Sequence, residues 1–337
     1  MIFRVFFGVL AALVLFIAVA SVYLLQFGPT LDESALPPFS AHSASPDGNV
    51  EFQFLGNANI LLRDNETAVL IDGFFTRPSS LNIAFGKIEP DLDAISAAMA
   101  RASIDTLDVV IPVHSHYDHA MDSPEVARRT GALLLGSNSS ANIGRGWGLP
   151  ESQIRVADPG VSYDVGRFRV TLLESRHFVF PDLSLPEDPE IHAPLVPPVK
   201  AMDYREGGAY SVLIEHPESG RWLVQGSAGF LPGALSGLKA DIVFLGIGGL
   251  AGQTAEYQRN YWHEVVMATN PDVVVPIHFD AIADSDLGDS LVLGNNLWSK
   301  VLAFKPLESI AAVNELAAET GVSIAYPKLW ERVYLGI

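Results

Sequence analysis

Leu107-Asp108-Val109-Val110-Ile111-Pro112-Val113 runs straight into His114-Ser115-His116-Tyr117-Asp118-His119. The first part has the length and apolar character of a strand buried on both faces. The second places four potential metal ligands within six residues. On extended backbone, side chains at i and i+2 share a face, so His114 and His116 can hold one ion together. Ser123-Pro124-Glu125 predicts a helix just beyond, with a serine cap, proline in the first helical position and an early acid. The turn into that helix aims Asp118 and His119 sideways, toward a second ion beside the first. Histidines also collect in exposed loops without function, but a ligand cluster at the end of a buried strand is how α/β folds build active sites.

Working outward, Val50–Leu55, Ile60–Leu62 and Thr67–Ile71 alternate or run apolar between turns at Gly56-Asn57-Ala58-Asn59 and Asp64-Asn65-Glu66. They predict an antiparallel meander ending at Asp72-Gly73. Asp72 either orients a ligand histidine from behind or caps a turn. Asp91–Ala102 has helical spacing, Ala132–Leu135 reads as a strand, and Asn138–Gly148 reads as a polar, glycine-rich loop. Two later strands end in histidine: Phe168–Leu173 leads to His177, and Asp272–Ile277 leads to His278. A hairpin is expected over Tyr210–Gln225, a strand over Ile242–Leu245, and helices over Tyr257–Ala268 and Ser309–Thr320. This order implies a layered α/β body with polar groups emerging at strand ends, and no internal sequence repeat is visible.

Five of the nine histidines thus sit where ligands belong. His42, His192, His216 and His263 read as linker, insertion, turn and helix side chains. Pro181–Pro198 holds six prolines and cannot be regular structure; it is either a lid over the site or a surface insertion.

Of 337 residues, 49% are hydrophobic, enough for a sizeable core. There is no cysteine, so a metal would be held by nitrogen and oxygen, which favours zinc, iron or manganese. A net charge of −18 without a basic stripe argues against a nucleic-acid partner.

In residues 1–27 a single charge, Arg4, precedes a run of about 23 mostly apolar residues, enough to span a bilayer. A secretory signal cleaved near Ala18-Val19-Ala20 is the rival reading. The run continues through Leu24, Leu25 and Phe27, which favours an uncleaved anchor. Arg4 on one side and Asp32 and Glu33 on the other place the body outside the cytoplasm, periplasmic if the source is bacterial, or secreted if the segment is cleaved. Residues 28–48 read as a linker and 49–337 as the folded domain.

In motif order, residues 49–337 resemble the metallo-β-lactamase superfamily. The resemblance rests on the His-x-His-x-Asp-His block, Asp72 in Leu-Ile-Asp-Gly, His177, and His278 in Val-Pro-Ile-His-Phe-Asp. Leu55-Gly56-Asn57-Ala58-Asn59 and Pro276-Ile277-His278 look most like the branch of L-ascorbate-6-phosphate lactonase-like and N-acyl-phosphatidylethanolamine phospholipase D-like proteins. The resemblance implies a four-layer αβ/βα sandwich, here preceded by the N-terminal transmembrane helix. It assigns His114, His116 and His177 to a first metal and Asp118, His119 and His278 to a second. It also implies a zinc-dependent hydrolase of one or two ions, acting on an ester, lactone, amide or phosphodiester in a small-molecule or lipid-like substrate.

One departure stands out. Where the family carries a bridging aspartate, this chain reads Gln225-Gly226-Ser227. A neutral hydroxyl replaces a charge that offsets repulsion between two cations, so the second ion is weakened most. Asp280, Asp203 or Glu174 are candidates to replace it. Asp118 and Ser227 are the candidate catalytic residues, the latter as a hydrogen-bond partner of the attacking water. A non-hydrolytic metal-binding module and an iron redox enzyme are the competing readings.

Overall fold

The structure is a computed structural model and describes residues 2–26, 35–40, 50–179, 188–294 and 304–336. In chain order the helices are α1 (Ile2–Gln26), α2 (Ser80–Phe85), α3 (Leu92–Ala102), α4 (Tyr117–Ala120), α5 (Ser123–Thr130), α6 (Asn138–Trp147), α7 (Ala255–Trp262) and α8 (Pro306–Thr320). The strands of the first half are β1 (Val50–Phe54), β2 (Ile60–Arg63), β3 (Ala68–Ile71), β4 (Val109–Ile111), β5 (Leu133–Gly136) and β6 (Ile154–Val156). Those of the second are β7 (Ser162–Val165), β8 (Phe168–Glu174), β9 (Tyr210–His216), β10 (Gly220–Gln225), β11 (Ile242–Gly246), β12 (Val273–Ile277) and β13 (Ser323–Ile324), and β14 (Arg332–Leu335) returns to the first.

Two seven-stranded sheets result, ordered β14-β1-β2-β3-β4-β5-β6 and β13-β12-β11-β10-β9-β8-β7. From β14 inward, three antiparallel pairings are followed by three parallel ones. From β7 inward the second sheet repeats that scheme. The chain therefore carries a repeat of topology that its sequence does not show.

Alternation explains which face each strand turns inward. Ile60, Leu62, Val69, Ile71, Val109 and Ile111 enter the large core between the sheets. Leu61, Leu70 and Val110 face the other way and meet Ile95 and Met99 of α3 and Val126 of α5. Strands covered on both faces read as continuous apolar runs for this reason. Phe52 and Phe244 stack across the two sheets at 4.8 Å between centroids. Each such side chain, fully buried, contributes about 1.5–3 kcal/mol relative to exposure. Trp262 of α7 and Val313 and Leu316 of α8 belong to the same core.

Several expectations need correction. Asn138–Trp147 is a helix, not a loop: Ser137 caps it by accepting from the Ser140 N–H, and Gly148 ends it in the left-handed conformation. Its glycines permit close approach. A Cβ on Gly144 would lie 2.9 Å from Leu134, and one on Gly146 would overlap the Leu195 carbonyl at 1.8 Å. The cap residue of α5 is Asp122, not Ser123, whose hydroxyl donates to the carbonyls of Asp72 and His119. Within the expected linker, residues 35–40 are docked: Phe39 N–H donates to the Tyr326 carbonyl, and its ring meets Phe52 edge-on at 5.5 Å. The rest of that stretch, including His42, lies outside the described residues.

The expected anchor is not supported. Helix α1 runs over Ile2–Gln26, but its side chains are described only for residues 7–21. Among the described residues, no helix is long and apolar enough to cross a membrane. Of the proline-rich segment, residues 188–198 are described and form neither helix nor strand. They are strapped to α6, where Asn142 donates to the Ile191 carbonyl and accepts at its own carbonyl from the Leu195 N–H.

Candidate metal centre

The donors gather where β3, β4, β8 and β12 end. Leaving β4, the chain stays extended through His116, which has φ −60 and ψ 155, and then enters the single turn of α4. His114 and His116 therefore share a face, with His114 Nε2 and His116 Nδ1 3.0 Å apart. Asp118 and His119 project from the helical turn instead. His177 follows β8, and its ring lies 4.9 Å from His114 and 4.8 Å from His116 between centroids. His278 follows β12 with φ +58, and its Nε2 is 3.1 Å from His119 Nε2 and 3.2 Å from Asp118 Oδ2.

Two sets of three donors result: His114, His116 and His177, and Asp118, His119 and His278. Within each set the ligand atoms lie within 4.8 Å of one another. The sets adjoin, since the rings of His114 and His119 are 3.9 Å apart between centroids.

Their electrostatics suit a cation. Burial, reinforced by neighbouring imidazoles, pushes His114 and His177 well below the ordinary histidine range, and burial brings His116 down to about 4. At neutral pH these rings are unprotonated, and each has a lone pair to offer. In the second set burial would raise Asp118, but His119 and His278 outweigh it and hold the carboxylate ionised. For His119 burial opposes protonation, but Asp72 and Asp118 prevail and raise it. Three nitrogen lone pairs in the first set, and in the second a carboxylate beside a site whose field favours positive charge, are the donor chemistry of a divalent transition metal.

Asp72 stands behind the donors with no exposed surface. Its Oδ2 is 2.8 Å from His119 Nδ1, and its Oδ1 accepts from the Val113 N–H at 2.9 Å. The His119 proton thus belongs on Nδ1, leaving Nε2 for a ligand bond. His177 is oriented likewise, with Nδ1 2.8 Å from the Phe178 carbonyl.

Ser227 is buried in the turn after β10, whose glycines lie against the residues preceding His114 and His177. A Cβ on Gly226 would meet Val113 at 2.3 Å, and one on Gly229 would overlap the Arg176 carbonyl at 2.0 Å. The turn's carbonyls are held from behind: Tyr261 donates to Ser227 at 3.1 Å and Tyr257 to Ala228 at 3.1 Å. None of the three proposed substitutes for a bridging carboxylate joins the donors. Asp280 accepts from the Asn57 N–H and pairs with Arg77, Asp203 accepts from the Lys200 N–H, and Glu174 is exposed.

The remaining described histidines lie elsewhere. His192 is exposed beside Asp188, His263 is exposed beside Glu264, and His216 is buried against Asp64. Asn57, Asp122 and Glu206 carry no assignment in the sequence reading, yet they brace the site. Asp122 accepts from the Phe75 and Thr76 N–H groups and the Thr76 hydroxyl. For Asn57 a signal existed in the polar turn Gly56-Asn57-Ala58-Asn59; for Glu206 there was none.

Residues 54–218 match the family model described as the Metallo-beta-lactamase superfamily. The fold is that of the metallo-β-lactamases. Among curated proteins, a UPF0173 metal-dependent hydrolase of Myxococcus xanthus is 28% identical over 137 residues, which are 41% of this chain and 42% of that protein. A UPF0173 metal-dependent hydrolase of Heliobacterium modesticaldum is 31% identical over 118 residues, 35% of this chain and 42% of that protein. The chain therefore spans less than half the length of either relative. Among solved structures, Igni18, a metallo hydrolase of Ignicoccus hospitalis, superposes with a TM-score of 0.50 at 15% identity, over 86% of this chain and 99% of that one. That likeness concerns the fold alone. Within this metallo-β-lactamase fold, His114, His116, His177 and His278 follow strand ends, and Asp118 and His119 sit on the helical turn after β4.

Proposed function

We propose that this protein is a metal-dependent hydrolase that directs water onto an ester, lactone or phosphodiester bond. One observation carries the reading: two complete three-donor sets lie side by side in a buried site. When bound, zinc, iron or manganese would supply Lewis acidity and the means to make water nucleophilic at neutral pH. The chain's own share is to present unprotonated His114, His116 and His177, to hold Asp118 ionised, and to fix the His119 tautomer through Asp72. The matched relatives bear the name metal-dependent hydrolase, which supports the same class. Within it, the turn Leu55-Gly56-Asn57-Ala58-Asn59 and Pro276-Ile277-His278 favour substrates of the lactonase-like and phospholipase D-like branch, small or lipid-like. Metal quantification on the purified protein and a panel of lactones, esters and phosphodiesters test this. Stoichiometric metal, with turnover abolished in His116→Ala, is the expected result, and metal-free protein without turnover refutes it.

A second reading is favoured by Ser227 and by the placement of Asp280, Asp203 and Glu174, none of which joins the donors among the described residues. It is a module that holds one ion without hydrolytic turnover. Ser227→Asp separates the two, since restoring a carboxylate switches activity on only if its loss had switched activity off. The proposed location is outside the cytoplasm, with residues 1–27 as an export segment. Fractionation of the tagged full chain tests it, and recovery with cytoplasmic enzymes counts against it.

A further inference from the structure

Each donor set is assembled from segments far apart in the chain, and one residue clamps each set. Asn57 has no exposed surface and takes φ +55, in the left-handed region. Its side-chain Nδ2 donates to the Asp118 carbonyl at 2.5 Å, and its own carbonyl accepts from the His278 N–H at 2.7 Å. Its N–H donates to Asp280 Oδ1 at 2.7 Å, and Asp280 faces the buried guanidinium of Arg77 at 3.7 Å. Asn57 thereby ties α4 to the end of β12, the two places that supply the second set.

Glu206 does the same for the first set. Its carbonyl accepts from the N–H and the hydroxyl of Ser115, which sits between His114 and His116, both at 2.8 Å. Its carboxylate Oε1 accepts from the His177 N–H at 3.3 Å. Gly207, at φ +62, lets the chain lie against Ser115, whose Oγ a Cβ there would overlap. No hydrogen bond links Asn57 to the first set or Glu206 to the second among the described residues.

We propose that Asn57 and Glu206 are separate positioning residues, each setting the cation affinity of one donor set and not of the other. The inference rests on the metal-dependent reading above and adds a division of labour within it. Residues that orient metal ligands alter affinity by about 10–100-fold when replaced. Asn57→Gly removes the side-chain bond while keeping the left-handed backbone, and Glu206→Ala removes the carboxylate. Glu206→Gln keeps an oxygen that accepts from the His177 N–H.

The test is a zinc titration of the metal-stripped full chain against a chromophoric chelator, with circular dichroism confirming each fold. In wild type and in a His116→Ala background, Asn57→Gly is expected to weaken one zinc constant by about 10–100-fold. Glu206→Ala is expected to weaken the other in wild type, to have no effect once His116 is gone, and to be rescued by Glu206→Gln. If Asn57→Gly unfolds, Asn57→Asp replaces it, since it keeps size and backbone preference but turns an oxygen toward the Asp118 carbonyl. Equal loss of both constants, or no loss in either variant, overturns the proposal. If wild type binds a single zinc, one variant alone must weaken it, and an effect of both or neither overturns the proposal. Failure of wild type to bind zinc, iron or manganese removes the metal-dependent reading itself, and this inference with it.

Discussion

Asp72 Oδ2 and His119 Nδ1 lie 2.8 Å apart, both buried, with the other Asp72 oxygen taken by the Val113 N–H one residue before His114. One carboxylate therefore fixes the proton of a ligand in one donor set and the backbone entering the other.

In Asp72→Asn the side chain keeps its size and tolerates φ +63. If the amide oxygen still accepts from Val113, the amide nitrogen faces His119 and must donate to Nδ1. The histidine proton then moves to Nε2, the atom needed for a ligand bond. Metal affinity is expected to fall about 10–100-fold with the fold retained. Chelator competition measures it, and unchanged affinity would show that Asp72 does not set the tautomer.

Glu125 gives a pH prediction. Burial raises its carboxyl, but hydrogen bonds from Arg128, Arg129 and Trp147 outweigh that and hold it at about 2, against an ordinary 4.5. A depressed folded-state value stabilises the fold above the unfolded value, and that contribution drains away as pH falls from about 4.5 through about 2. Glu125→Gln should be less stable than wild type at neutral pH, with the gap closing toward pH 2. Denaturant midpoints across that range measure it, and a gap independent of pH contradicts the assignment.

Gly146→Ala sets two effects against each other. Alanine gains about 1 kcal/mol in a helix interior, while overpacking costs about 1–3 kcal/mol. The clash here is with a backbone carbonyl, and the Leu195 segment is pinned by its own N–H to Asn142. The clash should win, with a lower melting temperature and faster proteolysis within residues 188–199. A stabilised variant would show that this segment yields freely.

Phe39 tests whether the docked residues 35–40 belong to the fold. Its ring is 6% exposed and touches Phe52 and Phe244. Phe39→Ala should cost about 3–5 kcal/mol, the usual range for a buried phenylalanine. Equilibrium unfolding gives the value, and a loss below about 1 kcal/mol would return the segment to linker status.

Where local chemistry decides structure, the sequence was legible. Asp91 caps α3 by accepting from Asp93 and Ala94 N–H groups, and Gly131 closes α5 in the left-handed conformation. The meander β1-β2-β3 follows its alternation. Legibility failed for α6, where glycine content reads as loop but serves close packing against Leu134 and Leu195. It failed for Phe39, which sits after two prolines in a stretch without periodicity while its neighbours in space are aromatic. Short edge strands such as β6 and β13 carry too few residues to show a period.

The sequence by itself determined that histidines would end buried strands, that His114 and His116 would share a face, and that Asp118 and His119 would leave on a turn. Those are consequences of backbone geometry within a few residues. That His177 joins the first pair and His278 the second was implied by the family resemblance, not by spacing, and the tertiary structure brings them there. It alone showed Asn57 and Glu206 holding the sets in place, and it excluded Asp280, Asp203 and Glu174 as substitutes beside Ser227. The reason is physical: these contacts depend on how two sheets pack and which strand ends lie at one edge, and no spacing along the chain encodes that distance.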